Sequence, residues 1–263
     1  MKNLLIKFKT TGKIYLFSST EEFKIGEKIL IDTGQGIEVA TVIKNQIKDE
    51  KELESVEKGE GLILRKLSEE DEKKMSNLKI KEREAFDFCQ QKIKEINLPM
   101  KLVSSEISLD EKKLTFYFIA EDRIDFRQLL SELVTNYHKK IRLQQLGARD
   151  CAKMLGGIGP CGRQFCCQTF LEAMDSVTLE MAKAQDMATV GSNKISGACG
   201  KLMCCLAYES EMYQKIRAKM PKINEQFETK KGKGKIIWQN VLKQTVLVEL
   251  EDGTKIEEKL KGE

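Results

Sequence analysis

One histidine, His138, is all the imidazole this chain has. Histidine-based acid–base relays and triads therefore have little material to work with. No phosphate-binding loop, dinucleotide fingerprint or zinc-hydrolase motif occurs either, which argues against an enzyme with a chemistry of its own. Long apolar runs are also missing. No stretch approaches the roughly 20 residues of a membrane span, and in the opening MKNLLIKFKTTGK only Leu4, Leu5 and Ile6 precede Lys7, too few for a signal-peptide core. The chain is accordingly read as cytoplasmic, a compartment where thiols stay reduced and clustered cysteines hold metal or do redox work more often than they form disulfides.

Net charge is small as well. Charged residues make up 33% of the 263, but 45 Lys and Arg stand against 41 Asp and Glu, leaving a formal +4 that by itself does not argue for nucleic acid. Two local runs are basic. Lys139, Lys140, Arg142, Arg149, Lys153 and Arg163 share a window with Asp150 as counter-charge, and Lys230, Lys231, Lys233 and Lys235 surround two glycines. Such runs are usually solvated faces; contact with RNA or an acidic partner is the functional alternative.

What is present begins with strands. A hydrophobic fraction of 41% is enough to fold, and the length suits about two domains. LLIKF, KIYLF, KILIDT and IEVATVI alternate at two-residue period, which predicts a small β-rich, barrel-like module over 1–66. From 67 to 98 the period becomes helical. Ser68 and Asp71 read as a capping box, and Met75, Leu78, Ala85, Cys89, Ile93 and Ile96 form a stripe that runs until Pro99. Cys89 belongs to that stripe and reads as a core residue.

An α+β domain over 99–220 follows, a central sheet layered with helices. LTFYFIA puts Leu114, Phe116 and Phe118 on one face. Asp125 is expected to cap a helix whose apolar face is Phe126, Leu129, Leu130, Leu133, Val134 and Tyr137. KIRLQQL reads as another strand and ARDCAKML as a short helix stopped by Gly156 and Gly157. TLEMAKAQ is expected to be helical, with a turn near Gly191 and Ser192. The segment 221–263, with its Asp252-Gly253 hairpin signal, predicts a five-stranded barrel-like β module of the SH3 or KOW kind. His138 ends a helix, where a cationic residue is favoured without any site role.

Six of the eight cysteines fall in one pattern written twice: GPCGRQFCC at 159–167 and GACGKLMCC at 197–205, 38 positions apart. The repeated spacing of Cys161, Cys166 and Cys167 with Cys199, Cys204 and Cys205 points to soft-ligand chemistry. Gly162 and Gly200 allow a tight turn that aims N–H groups at a thiolate, and Arg163 and Lys201 supply matched cations. Adjacent cysteines face apart in a regular strand, so either both ligate from irregular backbone or one of each pair packs elsewhere. Six thiols exceed the four of one zinc or cubane centre, which suggests two half-sites completed by a partner or one site with spares. A zinc ion that staples the fold, plain core cysteines, and a redox thiol at Cys161 or Cys199 are the competing readings. Cys151 could serve as a seventh ligand, but reads better as a helix-face residue.

LGARDCAKMLGGIGPCGRQFCC followed by KISGACGKLMCCLAYE resembles the bacterial YaaT family, also called RicT, and the likeness extends over most of the chain. The resemblance implies an iron–sulfur subunit of a regulatory complex. Its partners there are two small helical proteins, YlbF and YmcA. The complex carries 4Fe-4S clusters and acts with membrane-attached RNase Y in maturing polycistronic transcripts, influencing sporulation, competence and biofilm formation. The family's cysteines fall on Cys161, Cys166, Cys167, Cys199, Cys204 and Cys205. Cys151 departs from the family, where an acidic residue is expected. The expected function is a non-enzymatic adaptor, with a zinc-stapled RNA-binding protein as the alternative.

Overall fold

The N-terminal alternation does produce strands. In the computed structural model, which describes residues 2–8, 14–45, 57–171, 176–187 and 191–260, β1 (Lys2–Phe8), β2 (Ile14–Ser19), β3 (Lys28–Asp32), β4 (Ile37–Lys44) and β5 (Leu62–Lys66) form an antiparallel sheet in the order β2-β1-β4-β3-β5. Leu4, Ile6, Phe17, Ile29, Ile31 and Val42 share its buried face, as a period of two requires. Residues 57–59 attach to the outer edge of β2, where Leu16 N–H donates to Glu57 O and Gly59 N–H to Leu16 O, both at 2.9 Å. The chain then enters β5 at the opposite edge, so one short stretch links both edges of the sheet.

Helix α1 (Glu69–Ile96) starts at the capping box read from the sequence: Asp71 N–H donates to Ser68 Oγ at 3.3 Å, and Ser68 N–H to Asp71 Oδ2 at 2.9 Å. Arg65 clamps the same carboxylate at 2.5 and 3.1 Å. The Arg65 guanidinium, helped by the Ser68 cap, holds Asp71 well below the usual carboxylate range. Leu78, Ala85, Cys89 and Ile93 are buried. The helix ends at Asn97, left-handed at φ 56°, whose N–H bonds the carbonyls of Ile93 and Lys94, ahead of Pro99.

Strands β6 (Lys101–Ile107), β7 (Lys113–Ile119) and β8 (Lys140–Gln145) make a second sheet in the order β6-β7-β8; β7 and β8 are parallel and joined through α2 (Arg127–Tyr137). Leu114 and Phe116 pack with Cys89, Leu129 and Leu133 beneath the two helices. Two expectations change here. Asp125 is not the cap: the N-cap is Phe126, with no side-chain bond, and Asp125 Oδ1 instead accepts the Arg127 N–H at 3.1 Å while its carboxylate grips the Arg127 guanidinium. Val134 is 44% exposed and lies off the apolar face. Helix α3 (Ala148–Leu155) follows, with Cys151 buried.

The compact units of the chain are Met1–Ala173 and Met174–Glu263, so the segment 99–220 is divided between them. The second unit holds α4 (Leu179–Lys183), α5 (Ser192–Ile195) and α6 (Cys204–Ala218), with Ala182, Ile195 and Leu206 as a small core. The chain turns near Gly191 and Ser192 as expected, Lys194 N–H donating to Gly191 O at 2.8 Å, and the turn continues as the four-residue α5. Strands β9 (Gln226–Thr229), β10 (Gly232–Asn240), β11 (Thr245–Leu250) and β12 (Lys255–Lys259) form an antiparallel meander in the order β12-β11-β10-β9 over Ile236, Val246 and Val248. Among the described residues this sheet has four strands where five were expected, each pairing only with its sequence neighbours.

Candidate functional site

The first cysteine repeat is a tight hairpin that follows α3. Gly162 N–H donates to Gly159 O at 3.0 Å, closing a turn with Pro160 and Cys161 at its centre; Gly159 N–H donates to Arg163 O at 2.8 Å; and Ile158 and Gln164 form a bridge. Proline suits the first central position of such a turn. The residue after it must take a positive φ to bring the strands back together. Gly162 does so at +78°, with nothing within 4 Å of where a Cβ would stand, so glycine is needed for the conformation and not for space. Phe165 N–H then returns to Gly157 O at 3.1 Å, and Cys166 and Cys167 lie in the next turn, where Gln168 N–H donates to Phe165 O at 2.9 Å.

The second repeat reproduces this bond for bond. Gly200 N–H donates to Gly197 O at 2.9 Å, Gly197 N–H to Lys201 O at 2.8 Å, Met203 N–H to Ile195 O at 2.9 Å and Leu206 N–H to Met203 O at 3.2 Å, with a bridge from Ser196 to Leu202. Gly200 has φ +77° and the same open space. The duplication of sequence is therefore a duplication of backbone. One knuckle lies in each compact unit, each with its first cysteine just ahead of the left-handed glycine.

The thiols differ in exposure. Cys161 is exposed; Cys166, Cys199, Cys204 and Cys205 are intermediate; Cys167 is buried. Cys204 and Cys205 occupy the first turn of the 15-residue α6, whose N-cap Met203 provides no side-chain cap. The positive end of that helix favours negative charge there. The donor chemistry fits a thiophilic centre, with soft ligands at partly open turns. Among the described residues no three Cys, His, Asp or Glu side chains are gathered closely enough to hold a metal ion. Cys89 is a core thiol with 0% exposure, and burial pushes it up to about 12. Cys151 occupies the buried side of α3, and His138 is the left-handed C-cap of α2, φ 49°.

The fold and these turns can be set beside known proteins. Residues 61–146 match the PSP1 C-terminal conserved region, and residues 176–220 match the third domain of PSP1-like proteins. Stage 0 sporulation protein YaaT of Bacillus subtilis (strain 168) is 38% identical over 253 residues, covering 95% of this chain and 90% of that protein. The chain belongs to the YaaT family. Two yeast proteins share a shorter segment with this YaaT-family chain. An uncharacterized protein of Schizosaccharomyces pombe is 43% identical over 60 residues, 23% of the chain and 8% of that protein; protein PSP1 of Saccharomyces cerevisiae is 46% identical over 46 residues, 18% and 6%. No solved structure matches the chain.

Three lysines of the basic runs have acidic neighbours in this YaaT-family fold. In the terminal sheet Lys233 stands opposite Glu228 and Lys235 opposite Glu249, opposite-charge neighbours across the strands. In the first unit Lys139 binds Glu111 at 3.2 Å. Sequence reasoning missed the other face of β7. Lys113, Thr115 and Tyr117 alternate with Leu114, Phe116 and Phe118, and all three are buried. The same two-residue period that marks the apolar face marks this one. Among the described residues no helix is long and apolar enough to cross a membrane.

Proposed function

We propose that the chain is a non-enzymatic regulatory adaptor that binds a 4Fe-4S cluster and assembles with small helical partners of the YlbF and YmcA kind to promote RNase Y-dependent maturation of polycistronic mRNA. The observation that carries this reading is the duplicated knuckle, in which four equivalent backbone hydrogen bonds repeat the turn that leads into each cysteine triplet. A chain has no folding reason to repeat a partly open thiol turn, whereas thiolate ligation by irregular, glycine-bearing backbone suits an iron–sulfur cluster. Its ligands are drawn from Cys161, Cys166, Cys167, Cys199, Cys204 and Cys205. A cubane takes about four thiolates and one knuckle carries three, so ligands from beyond a single knuckle complete the set. Bound, the cluster supplies oxygen- and iron-sensitive stability to the folded form.

Partner binding has separate support. Leu155, Ile158 and Phe170 flank the first knuckle in sequence and are 69%, 69% and 57% exposed, apolar area of the kind an interface covers. The name of the Bacillus subtilis relative, a stage 0 sporulation protein, supports a regulatory role in sporulation; competence and biofilm formation, and association with the membrane through RNase Y, belong to the same reading.

The test is metal analysis of protein purified without oxygen, alone and with YlbF-like and YmcA-like partners. Matched iron and acid-labile sulfide, lost in Cys161→Ser and Cys199→Ser, is the expected result. Stoichiometric zinc without sulfide under both conditions overturns the cluster and leaves a zinc-stapled RNA-binding protein as the reading.

A further inference from the structure

The three-stranded sheet of the first unit has a second face, and it is built like a binding site. Lys113, Thr115 and Tyr117 are 6%, 3% and 4% exposed, and they form the floor of a cleft of about 370 Å³ between this sheet and the N-terminal module. Lys113 Nζ pairs with Glu38 of β4, and Tyr117 Oη donates to Glu106 Oε2 at 3.0 Å. Burial, then the Glu106 and Glu38 carboxylates, push the phenol up from its ordinary value, so it stays a neutral donor. An ion pair held this deep is weak support for stability, since apolar side chains of similar volume commonly do as well or better. Its place under an open cleft favours a site over a packing device.

The walls narrow the ligand class. Arg142 and Gln144 of β8 line the cleft, as does Lys58, and their side chains form no hydrogen bond or ion pair among the described residues. On the other side Phe8 and Tyr15 stand edge to face with ring centroids 5.6 Å apart. Glu57 and Glu60 also line the space and disfavour a run of phosphates. The ligand that fits is small, carries one anionic group, and has a planar body with hydrogen-bonding edges.

We infer that the cleft binds a single nucleotide, with its phosphate on Arg142 and Lys58, its base beside Tyr15, and the base edge on Thr115 and Gln144. The cleft volume falls within the roughly 300–1,000 Å³ of small-molecule sites. This site is independent of the cysteine knuckles, so its failure leaves the metal reading untouched, and the reverse holds too.

Calorimetric titration of the intact chain with AMP, GMP, CMP and UMP, and with a short 5′-phosphorylated oligoribonucleotide, tests it. Saturable binding of at least one probe is expected, weakened about tenfold or more by Arg142→Ala. Thr115→Val, close to the same shape, should weaken it too without lowering the thermal midpoint. Tighter binding of the oligonucleotide assigns the site to the end of an RNA strand; equal or tighter binding of a mononucleotide assigns it to a free nucleotide. No saturable binding of any probe at millimolar concentration, or binding indifferent to both substitutions, overturns the inference.

Discussion

Replacing Gly162 by alanine and, separately, Gly200 by alanine is the most direct test of the duplicated knuckle. Both residues have a left-handed backbone, φ +78° and +77°, and at neither does a new Cβ meet anything within 4 Å. The cost is therefore conformational alone, about 1–2 kcal/mol for an L-residue held there, and it should be the same at both sites. Gly159 and Gly197 are the controls. Neither has a positive φ, and a Cβ would lie 3.7–3.8 Å from Arg163 O and Cys161 Sγ in the first case, and 3.7 Å from Lys201 O and Cys199 Sγ in the second, ordinary contact distances. Alanine there is neutral, or stabilising by about 0.4–1 kcal/mol through the unfolded chain. Native-state hydrogen exchange gives a local readout in a chain of two units. In Gly162→Ala the amides of Gly159 and Phe165 should exchange roughly 5–30-fold faster, and in Gly200→Ala those of Gly197 and Met203. Equal opening in Gly159→Ala, or a response in one knuckle and not the other, refutes the equivalence.

Asp71→Ala removes one half of the capping box and the Arg65 clamp, a loss of about 1–2 kcal/mol read from urea midpoints. Because Asp71 is held below the usual carboxylate range, its contribution is complete above about pH 4 and disappears as the pH falls through the folded value. Wild type should therefore lose more stability than Asp71→Asn on going from pH 5 to strongly acid solution, and parallel losses would remove Arg65 and the cap as the cause. Cys89, buried and pushed up to about 12, should resist thiol reagents until the chain unfolds, while exposed Cys161 reacts first; early labelling of Cys89, located by mass spectrometry, would contradict that order. Phe116→Ala, at 0% exposure between the sheet and its helices, should lower stability by roughly 3–5 kcal/mol, and Val134→Ala, 44% exposed, by no more than about 0.5 kcal/mol, both measured by denaturant unfolding.

The contrast between Phe116 and Val134 shows how much of the fold was legible. Period two in β7 and the capping box of α1 are local signals, and the structure follows both. Val134 follows Leu133 directly, so helical spacing alone gave it to the apolar face; its exposure depends on which arc of α2 the sheet covers, a tertiary fact. Asp125 misled for a similar reason. A carboxylate near a helix start is the ordinary sign of a cap, but Arg127 two residues on competes for it. Pro99 marked the end of α1 only loosely, because Asn97 reaches the left-handed conformation first. In the terminal sheet the composition showed lysines while the register, invisible in a single sequence, placed Glu228 and Glu249 against them. Within the knuckles the glycines were readable from residue type, whereas the matched bonds from Phe165 and Met203 were not.

Adjacent cysteines cannot share one direction, and the two repeats handle this differently. After Phe165 the first repeat turns back on itself, with Leu171 N–H reaching Cys166 O at 2.8 Å, and Cys167 faces inward while Cys166 stays partly exposed. After Met203 the second repeat runs on as α6, where neighbours are set about 100° apart around the axis. There Leu206, 1% exposed, takes the inward place, and Cys204 and Cys205 both remain part-exposed. The turn is thus duplicated and the continuation is not. Residues that correspond by sequence, Cys167 and Cys205, thus differ in access although their spacing is the same. The turn around the first cysteine is common to the two repeats, fixed beside its left-handed glycine by equivalent bonds, whereas the backbone that carries the paired cysteines is not.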